Sequence, residues 1–351
     1  MNEIGNNDAD LLLILQKGFP LNARPFGDIA DKLGLSEAAV LEKIESFFSD
    51  GRARRMGAVF DSRRLGYKST LCALALSADE AAVVARRVAE HQGVTHCYER
   101  GWPIELSEDS SGGPVGKIDV PRIWFTFAVC RNEFDAEMAK LRKIVGENQI
   151  LMLPALRRFK IDVVFDARTR DRSEVFPGIQ QPLNVTADTD DFFEFTEREK
   201  ALVRVLDGNI PIVSNPFESI ANDVGYNSGE LLELLKNWSE CGIIRRIALI
   251  VRHHKMGFKA NGMCVWSVPR EKVRDKGRRL AEFAAVTHCY QRPRTRSFPY
   301  DLYAMIHHHS WSQLQELFVE ISNAVGLSNG RLLCSVKEYK KTSMSYFRHY
   351  S

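Results

Sequence analysis

The sequence predicts an α+β protein built as a tandem repeat, each unit a winged helix-turn-helix followed by a ferredoxin-like β-α-β-β-α-β domain. Three observations carry that prediction. First, FGDIADKLGLSEAAVLEKI (Phe26 to Ile44) returns as FESIANDVGYNSGELLELL (Phe217 to Leu235), RRMGAVFDSRRLGYK (Arg54 to Lys68) as RRIALIVRHHKMGFK (Arg245 to Lys259), and VTHCYER (Val94 to Arg100) as VTHCYQR (Val286 to Arg292), always 191 or 192 positions later. Second, Gly34 and Gly225 each interrupt amphipathic stretches and are followed by a capping-type Ser36 or Asn227, the punctuation of a helix-turn-helix. Third, short apolar runs and amphipathic stretches then alternate in the order strand, helix, strand, strand, helix, strand.

In chain order, helices are expected at Ala9 to Lys17, Phe26 to Leu33 and Ser36 to Asp50, then a winged-helix strand at Arg54 to Phe60. The ferredoxin-like part follows with a strand at Lys68 to Leu76, a helix at Asp79 to His91, strands at Val94 to Arg100 and Arg122 to Val129, a helix at Glu133 to Val145, and a strand at Ile150 to Lys160. The second unit repeats this through Thr196 to Leu206, Pro216 to Val224, Asn227 to Cys241, Arg245 to Val251, Phe258 to Val268, Arg270 to Phe283, Val286 to Arg292, Tyr300 to His308, Trp311 to Val325 and Arg331 to Lys340. The domains are therefore expected at 1–66 and 67–165, then 196–257 and 258–351, with a polar, Pro- and Gly-bearing linker at 166–195. An irregular insert from Gly101 to Pro121 occurs only in the first unit and reads as a loop or lid.

With 351 residues and 44% hydrophobic content the chain can bury at least two cores. Lys and Arg number 48 against 45 Asp and Glu, and a net charge of +3 does not by itself call for nucleic acid or an anionic membrane. Seven dispersed cysteines with no C-x-x-C spacing signal neither a disulfide framework nor a zinc ribbon. The first residues lack a basic n-region and no run is long and apolar enough to span a bilayer, so a cytoplasmic protein is expected.

A winged helix joined to a ferredoxin-like domain resembles the Lrp/AsnC transcription regulators, which makes DNA the first partner to test. The third helix of each unit would have to enter the major groove. From Ser36 to Asp50, Glu37, Glu42, Glu45 and Asp50 oppose Lys43 alone, a net of −3; from Asn227 to Cys241, Glu230, Glu233 and Glu240 oppose Lys236, a net of −2. A polyanion repels such a helix, so the motif is expected to serve as a platform, with no specific DNA bound.

The positive charge lies elsewhere. Arg54, Arg55, Arg63 and Arg64 in the first unit, and Arg245, Arg246, Arg252, His253, His254 and Lys255 in the second, border the helix-turn-helix on the side leading to the sheet. In the strands H-x-Y-x-R occurs twice, as His96, Tyr98, Arg100 and as His288, Tyr290, Arg292. Strand side chains alternate, so each trio projects from one face. That face is either open or buried under the other unit, and a hydrogen-bonded interface without a ligand would explain the row as well as a binding site does.

IIRRIALIVRHHKMGFKANGMCVW (Ile243 to Trp266), VTHCYQRP (Val286 to Pro293) and FPYDLYAMIHHHS (Phe298 to Ser310) resemble the signature segments of the siroheme decarboxylases, with the two kinds of subunit of that family fused head to tail. The resemblance implies loss of the two pyrrolic acetate carboxyl groups of siroheme, giving 12,18-didecarboxysiroheme for heme or d1 heme, with no cofactor beyond the iron-containing substrate. In the first unit Cys130 and Arg131 follow FTFAV with no histidine matching MIHHHS, which puts a second complete active site in doubt.

The residues suit that chemistry on their own terms. An octacarboxylate on a flat apolar macrocycle needs fixed cations around an apolar slot, which Arg245, Arg246, Arg292, Arg294, Arg54, Arg55 and Arg100 supply, with Arg157, Arg158 and Lys340 as further candidates. The carbanion left by carbon dioxide needs a proton, and histidine titrates in the right range. His288, His307 and His96 are the candidate donors, in that order, and His288 or His307 could instead ligate the substrate's iron. The departing carboxylate should face aromatic walls rather than an arginine clamp, with Trp266, Tyr290 and Tyr303 as the expected walls beside Tyr98. Of the run His307 to His309 only alternate members share a face, so no dedicated metal site is expected, and Tyr346, Phe347 and Tyr350 are expected to pack the last strand. The site is expected between the two ferredoxin-like sheets. A DNA-binding regulator and a heme or siroheme sensor without catalysis are the alternatives, and pairing of the units within the chain, with or without a further homodimer, is the expected assembly.

Overall fold

The computed structural model describes residues 6–101, 121–146, 148–161, 164–165, 183–184 and 192–348. The insert expected from Gly101 to Pro121 lies, from residue 102 to 120, outside the described residues, as do most of the linker and Tyr350.

Each unit opens with three helices: α1 (Asn6–Lys17), α2 (Pro25–Leu33) and α3 (Glu37–Ser49) in the first, α6 (Glu197–Leu206), α7 (Pro216–Val224) and α8 (Ser228–Glu240) in the second. Local chemistry sets their ends. Pro25 and Pro216 begin α2 and α7, where a missing N–H costs nothing, and Gly34 (φ 63°) and Gly225 (φ 74°) end them in the left-handed region. Ser36 Oγ accepts from the Ala39 amide, and Asn227 forms a full capping box with Glu230, so α3 and α8 start where the sequence indicates.

One strand follows in each unit, β1 (Ala53–Phe60) and β8 (Ile244–Val251), and here the structure departs from a winged helix. The two pair with each other, antiparallel, from Ala53↔Val251 to Phe60↔Ile244. Their apolar faces and both sets of helices form one core containing Leu11, Leu15, Phe26, Phe47, Met56, Leu202, Phe217, Leu235, Trp238 and Leu249. Gly57 permits the closest part of this contact, since a Cβ there would lie 2.4 Å from the Gly208 carbonyl oxygen. Tyr346 and Phe347 also join this layer, against Phe60, Tyr67 and Phe195, not the last strand as expected.

The ferredoxin-like parts comprise β2 (Tyr67–Leu74), α4 (Ala78–Glu90), β3 (Val94–Gly101), β4 (Ile123–Cys130), α5 (Phe134–Val145), β5 (Leu151–Leu153) and β6 (Arg157–Ile161), and then β9 (Ala260–Trp266), α9 (Val273–Glu282), β10 (Val286–Gln291), β11 (Leu302–His308), α10 (Trp311–Val325) and β12 (Gly330–Lys341). A two-residue strand, β7 (Leu183–Asn184), pairs with β6. The strand order is β5-β2-β4-β3-β12-β9-β11-β10-β6-β7. So the two sheets are not separate plates. β12 pairs with β9 of its own unit through its first half and with β3 of the other through its second.

The first unit solves the same problem with a break. The expected single strand from Ile150 to Lys160 is two, with Pro154 between them: β5 pairs with β2 of its own unit and β6 crosses to β10 of the other. Because β5 and β6 are consecutive yet stand near opposite ends of the strand order, the sheet curls back on itself. Helices α4 and α5 cover one outer face and α9 and α10 the other, over separate cores. The inner face is shared. Ala73, Trp124, Leu153, Met263, Val265, Tyr303 and Leu333, from both units, pack there as a third cluster with Phe298 and Tyr300.

Candidate active site

Alternation places the repeated motif on that inner face. Cys97 and Cys289 belong to the cores beneath the helices, so by alternation His96, Tyr98 and Arg100 in β3, His288 and Tyr290 in β10, and Arg292 just after it project inward. In each copy the threonine before the histidine sets the ring: Thr95 Oγ1 lies 3.0 Å from His96 Nδ1 and Thr287 Oγ1 lies 3.1 Å from His288 Nδ1. The Thr287 hydroxyl also lies 3.3 Å from the Met305 carbonyl; donating there, its oxygen accepts from Nδ1–H and leaves Nε2 as the second nitrogen of His288. Each imidazole stacks on its tyrosine, with centroids 6.3 Å apart for His96–Tyr98 and 6.4 Å for His288–Tyr290. Both rows lie on the inner face, where side chains of the two units pack as one cluster.

Beneath each tyrosine row sits a guanidinium without a carboxylate partner among the described residues. Arg100, 7% exposed, donates to the Leu333 carbonyl at 3.2 Å and Ser335 Oγ at 3.1 Å and lies 5.5 Å from the Tyr98 ring centre. Arg292 donates to the Leu153 carbonyl and lies 4.8 Å from the Tyr290 ring centre and 5.6 Å from that of Tyr303. The Nε of each is buried without a hydrogen-bond partner among the described residues. Burial lowers both pKa values, that of Arg100 to about 10, yet both stay cationic at neutral pH. Two enclosed cations short of counter-charge are the mark of a site for an anion.

Around these equivalent rows the surroundings differ. In the register of β3 and β12, Lys341 stands opposite His96 and Glu338 opposite Tyr98, and Arg54 lies near both rings. The matching positions opposite His288 and Tyr290 are Ile161 and Arg158 in β6, and Arg245, Arg246 and Arg292 act on His288. Burial, reinforced by these cations, lowers His96 and His288 to about 4, so both rings are neutral at pH 7. Burial also lowers His253 to about 4, with Lys341 and His254 acting in the same direction.

Several expected residues stand elsewhere. Trp266 faces the helices, stacked on Phe318 with its indole N–H bonded to Ser322 Oγ at 3.1 Å, because it is Val265 that shares the inner parity of β9. Its aromatic role on the inner face falls to Trp124, paired with Tyr98 across β3 and β4 as Tyr303 pairs with Tyr290. Tyr303, 2% exposed, supports Arg292 from below with its hydroxyl on the Tyr300 carbonyl, so it backs the wall instead of forming it. Arg55 projects away from Arg54 and grips the end of α6, through the Asp207 carbonyl at 2.6 Å and its carboxylate at 3.6 Å. Arg294 pairs with Asp301 at 2.9 Å, and Lys340 caps the His91 carbonyl. His307, two residues past Met305 and 7% exposed, meets the rings of His253 and Phe165 where the sheet adjoins the helical layer. Thr95 and Thr287 were missed although both copies of V-T-H carry them; Lys341 was missed because its counterpart, Ile161, is apolar.

Comparison with known proteins gives a consistent answer. The AsnC-like ligand binding domain family matches residues 64–160 and 255–340, and the siroheme decarboxylase NirDL-like HTH domain family matches 8–54 and 199–245. A siroheme decarboxylase of Hydrogenobacter thermophilus is 33% identical over 98% of this chain and 96% of its own. The siroheme decarboxylase beta subunit of Methanosarcina barkeri is 39% identical over 41% of this chain and 94% of its own. Among solved structures, the siroheme decarboxylase NirDL in complex with an iron-uroporphyrin III analogue matches with a TM-score of 0.69 at 30% identity, covering 98% of this chain and 95% of that one.

Proposed function

The chain belongs to the siroheme decarboxylase family, and from that membership we propose that it acts as a carboxy-lyase, converting the two pyrrolic acetate side chains of siroheme to methyl groups and giving 12,18-didecarboxysiroheme. The observation that carries the reading is the pair Arg100, buried, and Arg292, partly buried with its Nε enclosed, both without carboxylate partners among the described residues, on the inner face where the two H-x-Y-x-R rows meet. Siroheme brings eight carboxylates on an apolar ring. Arg54, Arg100, Arg245, Arg246, Arg292 and Lys341 supply cations, while Trp124, Met263, Val265 and Leu333 supply apolar surface.

In each half-reaction the bond between the acetate methylene and its carboxylate breaks, carbon dioxide departs, and the electron pair stays on the methylene in conjugation with the ring. A proton closes the sequence as a methyl group. His288 delivers it from Nε2, with Thr287 holding Nδ1, and His96 faces it from the other unit in the same posture. Both imidazoles are neutral before substrate arrives, and the carboxylates of the incoming substrate raise their pKa values, so substrate binding itself charges the acid. The helix-turn-helix layer braces the two units; the acidic residues of α3 and α8 disfavour DNA.

Incubation of the protein with siroheme under anaerobic conditions, followed by mass analysis, should show loss of two carbon dioxide units. Tight binding with an unchanged mass would mean a sensor instead of an enzyme.

A further inference from the structure

The turn after β1 holds a carboxylate whose position in the second unit is taken by a cation. Asp61, 4% exposed, has its Oδ2 3.0 Å from Arg63, 3.3 Å from Arg158 and 3.1 Å from Arg245. These three guanidiniums arrive from three places: the turn itself, the crossing strand β6, and β8 of the other unit. Their pull holds the Asp61 carboxyl far below the usual carboxylate range against the effect of burial. Arg158 and Arg245 both act on the Tyr290 hydroxyl, and Arg245 acts on His288.

Among the described residues nothing equivalent stands beside His96. The repeat aligns Asp61 with Arg252, whose guanidinium donates to the Gly51 and Ala53 carbonyls, and the strand register aligns Arg158 with Glu338. The charges at both positions are therefore reversed between the halves. Three guanidiniums this close repel one another, the shared carboxylate is the one counter-charge among the described residues, and the cluster still carries a net charge of +2 toward the site.

We propose that Asp61 is a positioning residue of the siroheme site, holding Arg158 and Arg245 beside Tyr290 and His288 as a pre-arranged pair that receives substrate carboxylates. The proposal rests on the siroheme reading above. It makes a prediction whose sign opposes simple electrostatics. Asp61→Asn removes a negative charge from a site for a polyanion, which by Coulomb attraction alone tightens binding; loss of the hub instead lets the guanidiniums separate, and binding weakens.

The test is titration of iron uroporphyrin, read by its Soret band, into the wild-type chain and into Asp61→Asn, Asp61→Glu and Arg245→Lys at one pH and salt concentration. Positioning predicts affinity about tenfold weaker in Asp61→Asn, largely recovered in Asp61→Glu, and about fivefold weaker in Arg245→Lys, which keeps the charge but loses the guanidinium fork. Binding by Asp61→Asn as tight as the wild type or tighter overturns the proposal. Should Asp61→Asn fail to fold, wild-type affinity in Arg245→Lys overturns it equally. If the wild-type chain neither binds iron uroporphyrin nor decarboxylates siroheme, the functional reading has failed, not the positioning role.

Discussion

The two halves of the inner face share their central row and differ in what surrounds it. His96 and His288 have the same threonine on Nδ1, the same tyrosine stacked beside them and the same arginine four residues on. Around His96 stand Lys341, Arg54 and Glu338; around His288 stand Ile161, Arg245, Arg246 and Arg158 with Asp61 behind. On the proposed reading, duplication supplied the reacting groups twice, and divergence changed the electrostatics that aim them. A substrate whose edge is not symmetric needs that difference, because equal flanks would accept it in either orientation.

The largest effect should come from removing the acids one at a time. We expect His288→Ala to lower kcat by about 10²- to 10⁴-fold with iron uroporphyrin binding nearly unchanged, and His96→Ala to lower it less. Equal losses would make the halves functionally alike and break the comparison; accumulation of different mono-decarboxylated products would sharpen it, by giving each histidine its own acetate.

Next come the enclosed arginines. Arg100→Ala and Arg292→Ala each remove a desolvated charge-assisted donor, worth about 1.5–3 kcal/mol, so affinity for iron uroporphyrin should fall by about ten- to a hundredfold in each. Arg55→Ala provides the contrast. It is adjacent in sequence to Arg54, yet its bonds go to Asp207, whose carboxyl burial pushes up to about 6 despite the pull of Arg55. Its loss should lower the melting temperature by about 3–6 °C and leave tetrapyrrole affinity within about twofold. Weakened binding without destabilisation would return Arg55 to the site.

Much of this fold was legible because the chain repeats itself: the caps at Ser36 and Asn227, the glycines at 34 and 225 and the strand alternation all lie where local chemistry dictates. Pairing between units was not legible. Nothing local distinguishes a strand that pairs at home from one that crosses, and Pro154 was the one sign that the last strand of the first unit divides its partners. The site shows the same division. His96, Tyr98, Arg100 and their counterparts followed from period-two alternation, and the same rule applied to β9 would have excluded Trp266 in favour of Val265. Asp61 and Lys341 are legible only as departures from the repeat, and a search for what both copies keep passes over them.

The smallest effect is also the most direct probe of how the halves share the proton. With His96, His288 and His253 lowered from 6.5 to about 4 by burial, the unfolded chain binds more protons than the folded one between those values. Their contribution to the stability of the substrate-free protein is therefore complete above pH 6.5 and is lost as pH falls toward 4, which thermal melts across that window should register. Substrate carboxylates act in the opposite direction, raising the folded-state pKa values of the rings that face them. Binding of iron uroporphyrin near pH 6.5 should then take up protons, up to one for each histidine in contact, measurable by calorimetry in buffers of different ionisation enthalpy. His288 lies among more arginines than His96, and those arginines are the groups proposed to receive substrate carboxylates, so His288→Ala should abolish the larger part of the uptake. Uptake that is absent, or unchanged in His288→Ala, would show that the substrate does not charge this acid and that the proton comes from elsewhere.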